Sequence, residues 1–246
     1  SRLVTVGYAL ENAPAIITFG METNRTGAAT EVPADWIAVE DGATRHVWGD
    51  VNKVVRSDGS TYTIHWRPDF SWPYHAFAAN AARAVVKAWT LDDPPDYAVF
   101  NLAAGGDPAC YTGVNALPGG VSDDVYKTDC LVMRRIPAKN VKWRMGSLAD
   151  EPGRSTTGNM EQAHGVTLTN DFYMGVYELT QRQIFLITKQ NGPTYDVDKF
   201  PAKSVTWQTL RGNADTYSWP LQGHAVDMSG SVLGLLRTLS GQDFDL

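Results

Sequence analysis

Residues 83–91 read Arg-Ala-Val-Val-Lys-Ala-Trp-Thr-Leu, a short run in which polar and apolar side chains alternate. A period of two is the mark of a half-buried strand. The same reading extends outward on both sides. Tyr97 to Leu102 follows as a further apolar run. Before it, Leu3 to Tyr8 alternates with Val4, Val6 and Tyr8 on one face. Ala15 to Met21 lies between Asn12–Pro14 and Asn24–Gly27, Val47 to Val55 is a third run, and Thr61 to Trp66 is entered through Ser57-Asp58-Gly59-Ser60. Short β-branched and aromatic runs with turn residues between them predict an antiparallel, all-β sandwich over residues 1–104. Pro73 to Ala82, rich in alanine, fits a helical turn or a loop over one end.

The sandwich expected is of the immunoglobulin-like or fibronectin-like kind. Residues 105–130, rich in Gly, Pro, Asp and Asn and without a period, read as a linker. The remainder, 131–246, changes character. Leu131 to Ile136 is a strand stopped by Pro137, and Val166–Leu168 and Phe172–Val176 are short strands around the turn Thr169-Asn170-Asp171. Glu178 to Thr188 reads as a helix in which Thr180 and Gln183 have capping-box spacing. Trp207 to Arg211 is about one helical turn, ended by Gly212. Ser231 to Ser240 is a helix with Leu233, Leu236 and Leu239 along one side, capped by Ser229 or Ser231 and ended by Gly241. Strands and short helices separated by long loops predict an α+β module.

Composition narrows the function classes. The 246 residues are 43% hydrophobic and 20% charged, as in a folded globular protein. Net charge is −6, and no run of Lys/Arg is longer than Arg134-Arg135, so a nucleic-acid partner is not expected. No apolar run approaches the roughly 20 residues of a membrane span. The chain opens directly on a strand without a signal peptide, as a processed chain also would.

Two cysteines, Cys110 and Cys130, lie in the loop-rich stretch. The pair suits one disulfide stapling that loop, which contributes roughly 3 kcal/mol in the chain-entropy model. A redox or metal pair and two free buried thiols are the other readings. Eight Trp and ten Tyr supply core bulk or a binding surface. The segment Trp66-Arg67-Pro68-Asp69-Phe70-Ser71-Trp72-Pro73-Tyr74 is the densest, and Trp66, Phe70, Trp72 and Tyr74 are the candidate ligand-facing aromatics. Packing over one end of the sandwich is the competing role. His164, near Glu161 and Asp171, fits a hydrogen-bonded histidine better than a ligand, because nothing nearby has metal-ligand spacing. Glu178 at a helix start and Trp207 at a helix junction read as structural.

Four blocks stand in order in the second half: Trp143-Arg144-Met145-Gly146-Ser147, Glu161 to Leu168, Tyr177-Glu178-Leu179-Thr180, and Pro201 to Trp207. Together they resemble the formylglycine-generating enzyme family, the sulfatase-modifying factors. The departures are Trp for Phe at 143, a missing Pro and one residue fewer before His164, and Ala202 and Thr206 in the last block. Leu235 to Leu246 is similar to the approach to the family's Leu-Pro-Thr-Glu segment, so the resemblance covers about half of the module. It implies a variant C-type-lectin-like fold. It also implies a family activity of copper-dependent oxidation of a sulfatase cysteine to formylglycine, with copper and calcium in intact members. The oxidation needs two cysteines close together late in the domain. Cys110 and Cys130 do not match them, so no catalytic, cofactor or metal residue carries over, and this form is expected to be inactive as an oxidase. The alternative is a non-catalytic glycan- or protein-binding module of the bacterial cell envelope. A secreted, periplasmic or cell-surface location goes with either. An incomplete module is expected to leave apolar surface around Leu235, Leu239, Phe244 and Leu246, open to self-association.

Overall fold

The computed structural model of the chain describes residues 2–24, 32, 35–76, 80–155, 157–158, 161–189, 199–212 and 226–243, with the backbone alone at Ser60. The chain is β-rich, with 36% strand against 19% helix. It divides into two compact units, residues 1–133 together with 175–246, and residues 134–174.

The first unit begins with β1 (Val4–Leu10), β2 (Ala15–Asn24), β3 (Trp36–Ala38), β4 (Val47–Gly49), β5 (Lys53–Val55), β6 (Gly59–Trp66), the short helix α1 (Pro68–Ser71) and β7 (Ala82–Trp89). One antiparallel layer has the order β1-β6-β4, with Val6 opposite Ile64 and Trp48 opposite His65. The other is built around β2. Along one edge β7 pairs from Ile16↔Trp89 to Thr23↔Ala82, and along the other β5 and then β3 pair with it. Alternate residues Ile17, Phe19 and Met21 of β2 share a core with Ile64 and Trp66 of β6, Leu10 and Val55. Full burial of side chains of this size contributes about 1.5–3 kcal/mol each. The opposite face of β2 is closed too: Ile16 and Thr18 are buried, and Trp89 Nε1 donates to Thr18 Oγ1 at 2.8 Å.

The run expected as one strand over 47–55 is two strands in different layers. Gly49 takes φ +102°, where a Cβ would strike the Thr63 carbonyl oxygen, and Asn52 takes φ +56°. Between them Asp50 N still bonds Thr63 O at 2.8 Å, while Asn52 N bonds Ile17 O at 2.6 Å. Three residues thus carry the chain from β6 to β2, with Val51 buried on the way.

Residues 105–130, expected as a linker, are built into the core instead. β8 (Tyr97–Asn101), β9 (Ala109–Tyr111) and β10 (Cys130–Ile136) form a sheet in the order β10-β8-β9. One face of its residues gathers Val99, Tyr111 and Val132 with Leu117 and Tyr126, both from the supposed linker. Tyr126 Oη donates to Pro118 O at 2.8 Å, which satisfies the one polar atom of a buried side chain. The other face gathers Ala98, Phe100, Leu102 and Leu131. It is covered by Leu186 and Ile187 of α2 (Gln181–Thr188) and by Val232 and Leu236 of α4 (Val232–Ser240), the shorter α3 (Trp207–Arg211) lying between these helices in the chain. Helices of the second half therefore pack on a strand of the first half.

The helix ends follow local chemistry. Thr180 and Gln183 form the expected capping box, Ser231 caps α4 through Gly234 N, and Gly241 closes it at φ +67°. Leu235 and Leu239, expected to be uncovered, are half-buried against the same cluster. Phe244 and Leu246 lie outside the described residues.

In the second unit β11 (Lys142–Met145) and β12 (His164–Thr167) pair antiparallel, Trp143 opposite Val166 and Met145 opposite His164. β13 (Phe172–Gly175) runs to the unit's end. At Gly146, φ is +92° and a Cβ would lie 2.6 Å from Gln162 O, so the Met-Gly-Ser turn requires glycine. Asp171 accepts from Lys139 N at 2.9 Å and from Arg135 Nη2 at 2.9 Å, and these bonds hold its carboxyl below the ordinary range. Trp143, Met145, Phe172, Tyr173 and Met174 are exposed.

Candidate functional site

Among the described residues, an open pocket grows out of the end of the first layer. Trp66, buried in the core, donates from Nε1 to Ala43 O at 3.0 Å, and Ser71 Oγ donates to the same oxygen at 2.6 Å. These bonds tie α1 to the 3-10 turn at Asp41–Thr44. Arg67 N bonds His46 O at 3.0 Å, so His46 lies beside Arg67 where the β4–β6 ladder ends and α1 begins. Arg45 Nε donates to Asn115 O at 3.0 Å and brings in the loop that carries Pro118. The result is a pocket of about 380 Å³ lined by Arg45, His46, Val47, Trp48, Arg67, Phe70 and Pro118.

Its chemistry is cationic and aromatic. Arg67 Nε and Nη2 donate to the two oxygens of Asp69 at 2.8 and 2.6 Å. This bidentate pair holds Arg67 above its ordinary pKa and Asp69 below, chiefly through the hydrogen bonds. The Arg67 guanidinium carbon stands 4.5 Å from the Phe70 ring centre. Arg45 is different. Its Nε is bonded, but among the described residues neither terminal nitrogen has an acceptor, so one edge of its planar fork is free. Trp48 and Phe70 are 48% and 61% exposed, enough for each to offer a ring face to a ligand. The His46 ring lies 5.5 Å from Phe70, and His65 lies 5.5 Å from Trp48.

Of the four aromatics expected to face a ligand, Phe70 alone lines the pocket. Trp66 is core. Trp72 is half-buried and stacks on His75 at 4.3 Å. Tyr74 is fully exposed at φ +64°, outside the pocket lining. The sequence reading missed Arg45, His46, Trp48 and Arg67. Its available signal was parity, since His46 and Trp48 fall on one side of an extended run with Val47 on the other.

The disulfide expectation is corrected: Cys110 and Cys130 are both free thiols. Cys130 packs with Val99, Tyr111 and Val132. In β9, Ala109 and Tyr111 point to that same side, and strand alternation turns Cys110, opposite Ala98, to the other. Two sulfurs on opposite faces of one sheet have no disulfide geometry. Burial, with Asp107 adding, pushes the Cys110 thiol up to about 12. Burial, then Asp129 and Asp123, raises Cys130. Neither is a thiolate nucleophile at neutral pH.

His164, Glu161 and Asp171 are each engaged separately. His164 Nδ1 lies 2.8 Å from Gln162 O, Glu161 accepts from Ser155 N at 2.7 Å, and Asp171 serves Lys139 and Arg135. Among the described residues no three His, Cys, Asp or Glu side chains gather as a metal site, and no helix is long and apolar enough to cross a membrane. No family model matches the chain, and no curated protein or solved structure matches it either.

Proposed function

We propose that this chain is a non-catalytic binding module of an extracytoplasmic, sulfatase-modifying-factor-like protein, and that its ligand site is the pocket at the end of the first layer. The observation that carries this reading is the juxtaposition of two exposed aromatic rings, Trp48 and Phe70, with a guanidinium edge on Arg45 that no described residue occupies. Exposed rings beside convergent polar groups bind sugar or peptide surfaces, the rings by area and the polar groups by orientation.

In fold terms we read residues 1–104 as immunoglobulin-like, supported by two antiparallel layers around one core. We read the later blocks as formylglycine-generating-family-like, supported by the obligatory glycine turn at Gly146 and the capping box at Thr180 and Gln183. Oxidase activity is not part of the proposal, because the two thiols stand on opposite sheet faces with raised pKa values. A glycan array probed with the protein tests the binding reading, with retention on a defined glycan class expected and uniform background counting against it. Incubation of the copper-loaded protein with a sulfatase-derived peptide is expected to leave the cysteine unchanged. Formylglycine in the product would replace the binding reading with the enzymatic one.

We also attach any self-association to the exposed apolar side chains of residues 134–174, Met145 and Met174 among them, rather than to Leu235 and Leu239. Light scattering over a concentration series is expected to show mass rising for the parent and less so for Met145→Lys. A mass independent of concentration in both removes the idea.

A further inference from the structure

Resting on the reading of the pocket as the ligand site, we infer that it takes an acidic sugar: one uronic-acid residue of a glycan, its carboxylate on Arg45 and its ring against Trp48 and Phe70. Three features of the pocket select this class.

The first is local charge. Among the described residues no carboxylate lines the pocket, while Arg45, Arg67 and His46 do. Asp69 offsets Arg67 through both of its oxygens. The charge left for a ligand is therefore that of Arg45, whose free edge presents two terminal nitrogens in the planar spacing that a carboxylate accepts bidentately. One free fork calls for one carboxylate.

The second is the surrounding field. The whole chain carries −6, so a dense polyanion is repelled over most of the surface while a single carboxylate meets a small positive pocket. This favours an acidic sugar spaced along a glycan over a nucleic acid or a heavily sulfated chain.

The third is shape. Near 380 Å³, the pocket is at the small end of the ~300–1,000 Å³ range of ligand sites and suits a ring-sized group. Trp48 and Phe70 supply apolar faces for the C–H side of such a ring. Phe70 is backed by the Arg67 guanidinium at 4.5 Å, and Arg67 is held in turn by Asp69, so the platform is fixed before a ligand arrives.

Calorimetric titration with a short oligosaccharide carrying a single uronic acid, with its carboxyl-reduced neutral counterpart, and with both against Arg45→Gln tests the inference. The acidic oligosaccharide is expected to bind the parent about tenfold or more tightly than the neutral one, as a lost charged hydrogen-bonded pair implies. Arg45→Gln should remove that preference, and added salt should narrow it in the parent. The neutral ligand is a control that does not depend on the variant folding. Equal binding of acidic and neutral oligosaccharides to the parent overturns the acidic-sugar inference and leaves the binding-module reading standing. Binding of neither on this or any other glycan overturns both.

Discussion

At the scale of single residues, the decisive side chains are polar groups that complete the backbone's hydrogen bonding. Gln183 is fully buried. Its Oε1 accepts from Thr180 N at 3.0 Å, and its Nε2 donates to Tyr126 O at 3.1 Å and to Cys130 O at 2.7 Å. Leucine at 183 has similar bulk but leaves these backbone groups without partners. Gln183→Leu should therefore cost about 2–4 kcal/mol in urea unfolding, whereas a change within error would show that the three groups find other partners. The Thr180–Gln183 spacing was legible in the sequence. The long reach to Tyr126 and Cys130 was not, because nothing in the residue order announces which carbonyls a buried amide will meet. Asp50 gives a pH-dependent case. It accepts Thr63 N at 3.0 Å and Lys53 Nζ at 2.9 Å, and these bonds, the Thr63 one first, hold its carboxyl below the ordinary 3.8. A depressed folded pKa contributes stability that is fully present above 3.8 and is lost as pH falls through the lower folded value. Asp50→Asn should be less stable than the parent near neutrality, with the gap closing in acid when stability is followed between about pH 2 and 7. Parallel curves would show that Asp50 is not linked to folding in this way.

At the scale of elements, strands with one clear period were readable and those shaped by tertiary contact were not. β1 and β6 pack one face inward and keep alternation in the sequence, so their positions follow from it, while β7 is half-buried on both faces, Val86 toward the core and Trp89 toward Thr18. Val47 to Val55 misleads because Val47, Val51, Val54 and Val55 give continuous β-propensity across a change of layer. The clue is Gly49, whose role as a corner depends on the Thr63 carbonyl beside it and so appears only in three dimensions. Likewise, Leu117 and Tyr126 are isolated apolar residues among glycines and prolines, with no period to reveal that they fill a core. Of the pocket lining, the sequence reading named Phe70 alone; Arg45, His46 and Trp48 were missed because they join it from another part of the chain, and Arg67 although it stands beside Phe70. The corner can be tested with two glycines. Gly49→Ala forces a side chain into φ +102° against backbone and should cost about 1–3 kcal/mol for the conformation alone, with the clash added. Gly20→Ala, in the middle of β2 with nothing within 4 Å of its Cβ, should be neutral or stabilise by about 0.4–1 kcal/mol. Equal effects in thermal unfolding would mean that Gly49 is not the corner described.

At the scale of the molecule, the two units differ in how much each buries. The first owns the three core clusters, and β2 within it is buried along most of its length. In the second, β11 and β13 are exposed at every residue, and among β12 residues Val166 alone is half-buried. The sequence reading placed uncovered apolar surface at the C-terminal leucines because the resemblance covers only half of a module, whereas Leu235 and Leu239 pack against the first unit's own core. Burial decides how often a segment opens: where few apolar contacts close over a strand, its amides exchange through local opening at little free-energy cost, while core strands wait for global unfolding. Amides of Lys142–Met145 and His164–Thr167 should therefore exchange about 100-fold or more faster than those of Ile17–Met21 under native conditions. They should also stay fast in Gln183→Leu, which loosens the first unit's core and should speed exchange in β10 and α2. Comparable protection in β11 and β2 would mean that the second unit is closed over by cover the chain's own burial pattern does not supply, and the account of two unequal units would fail.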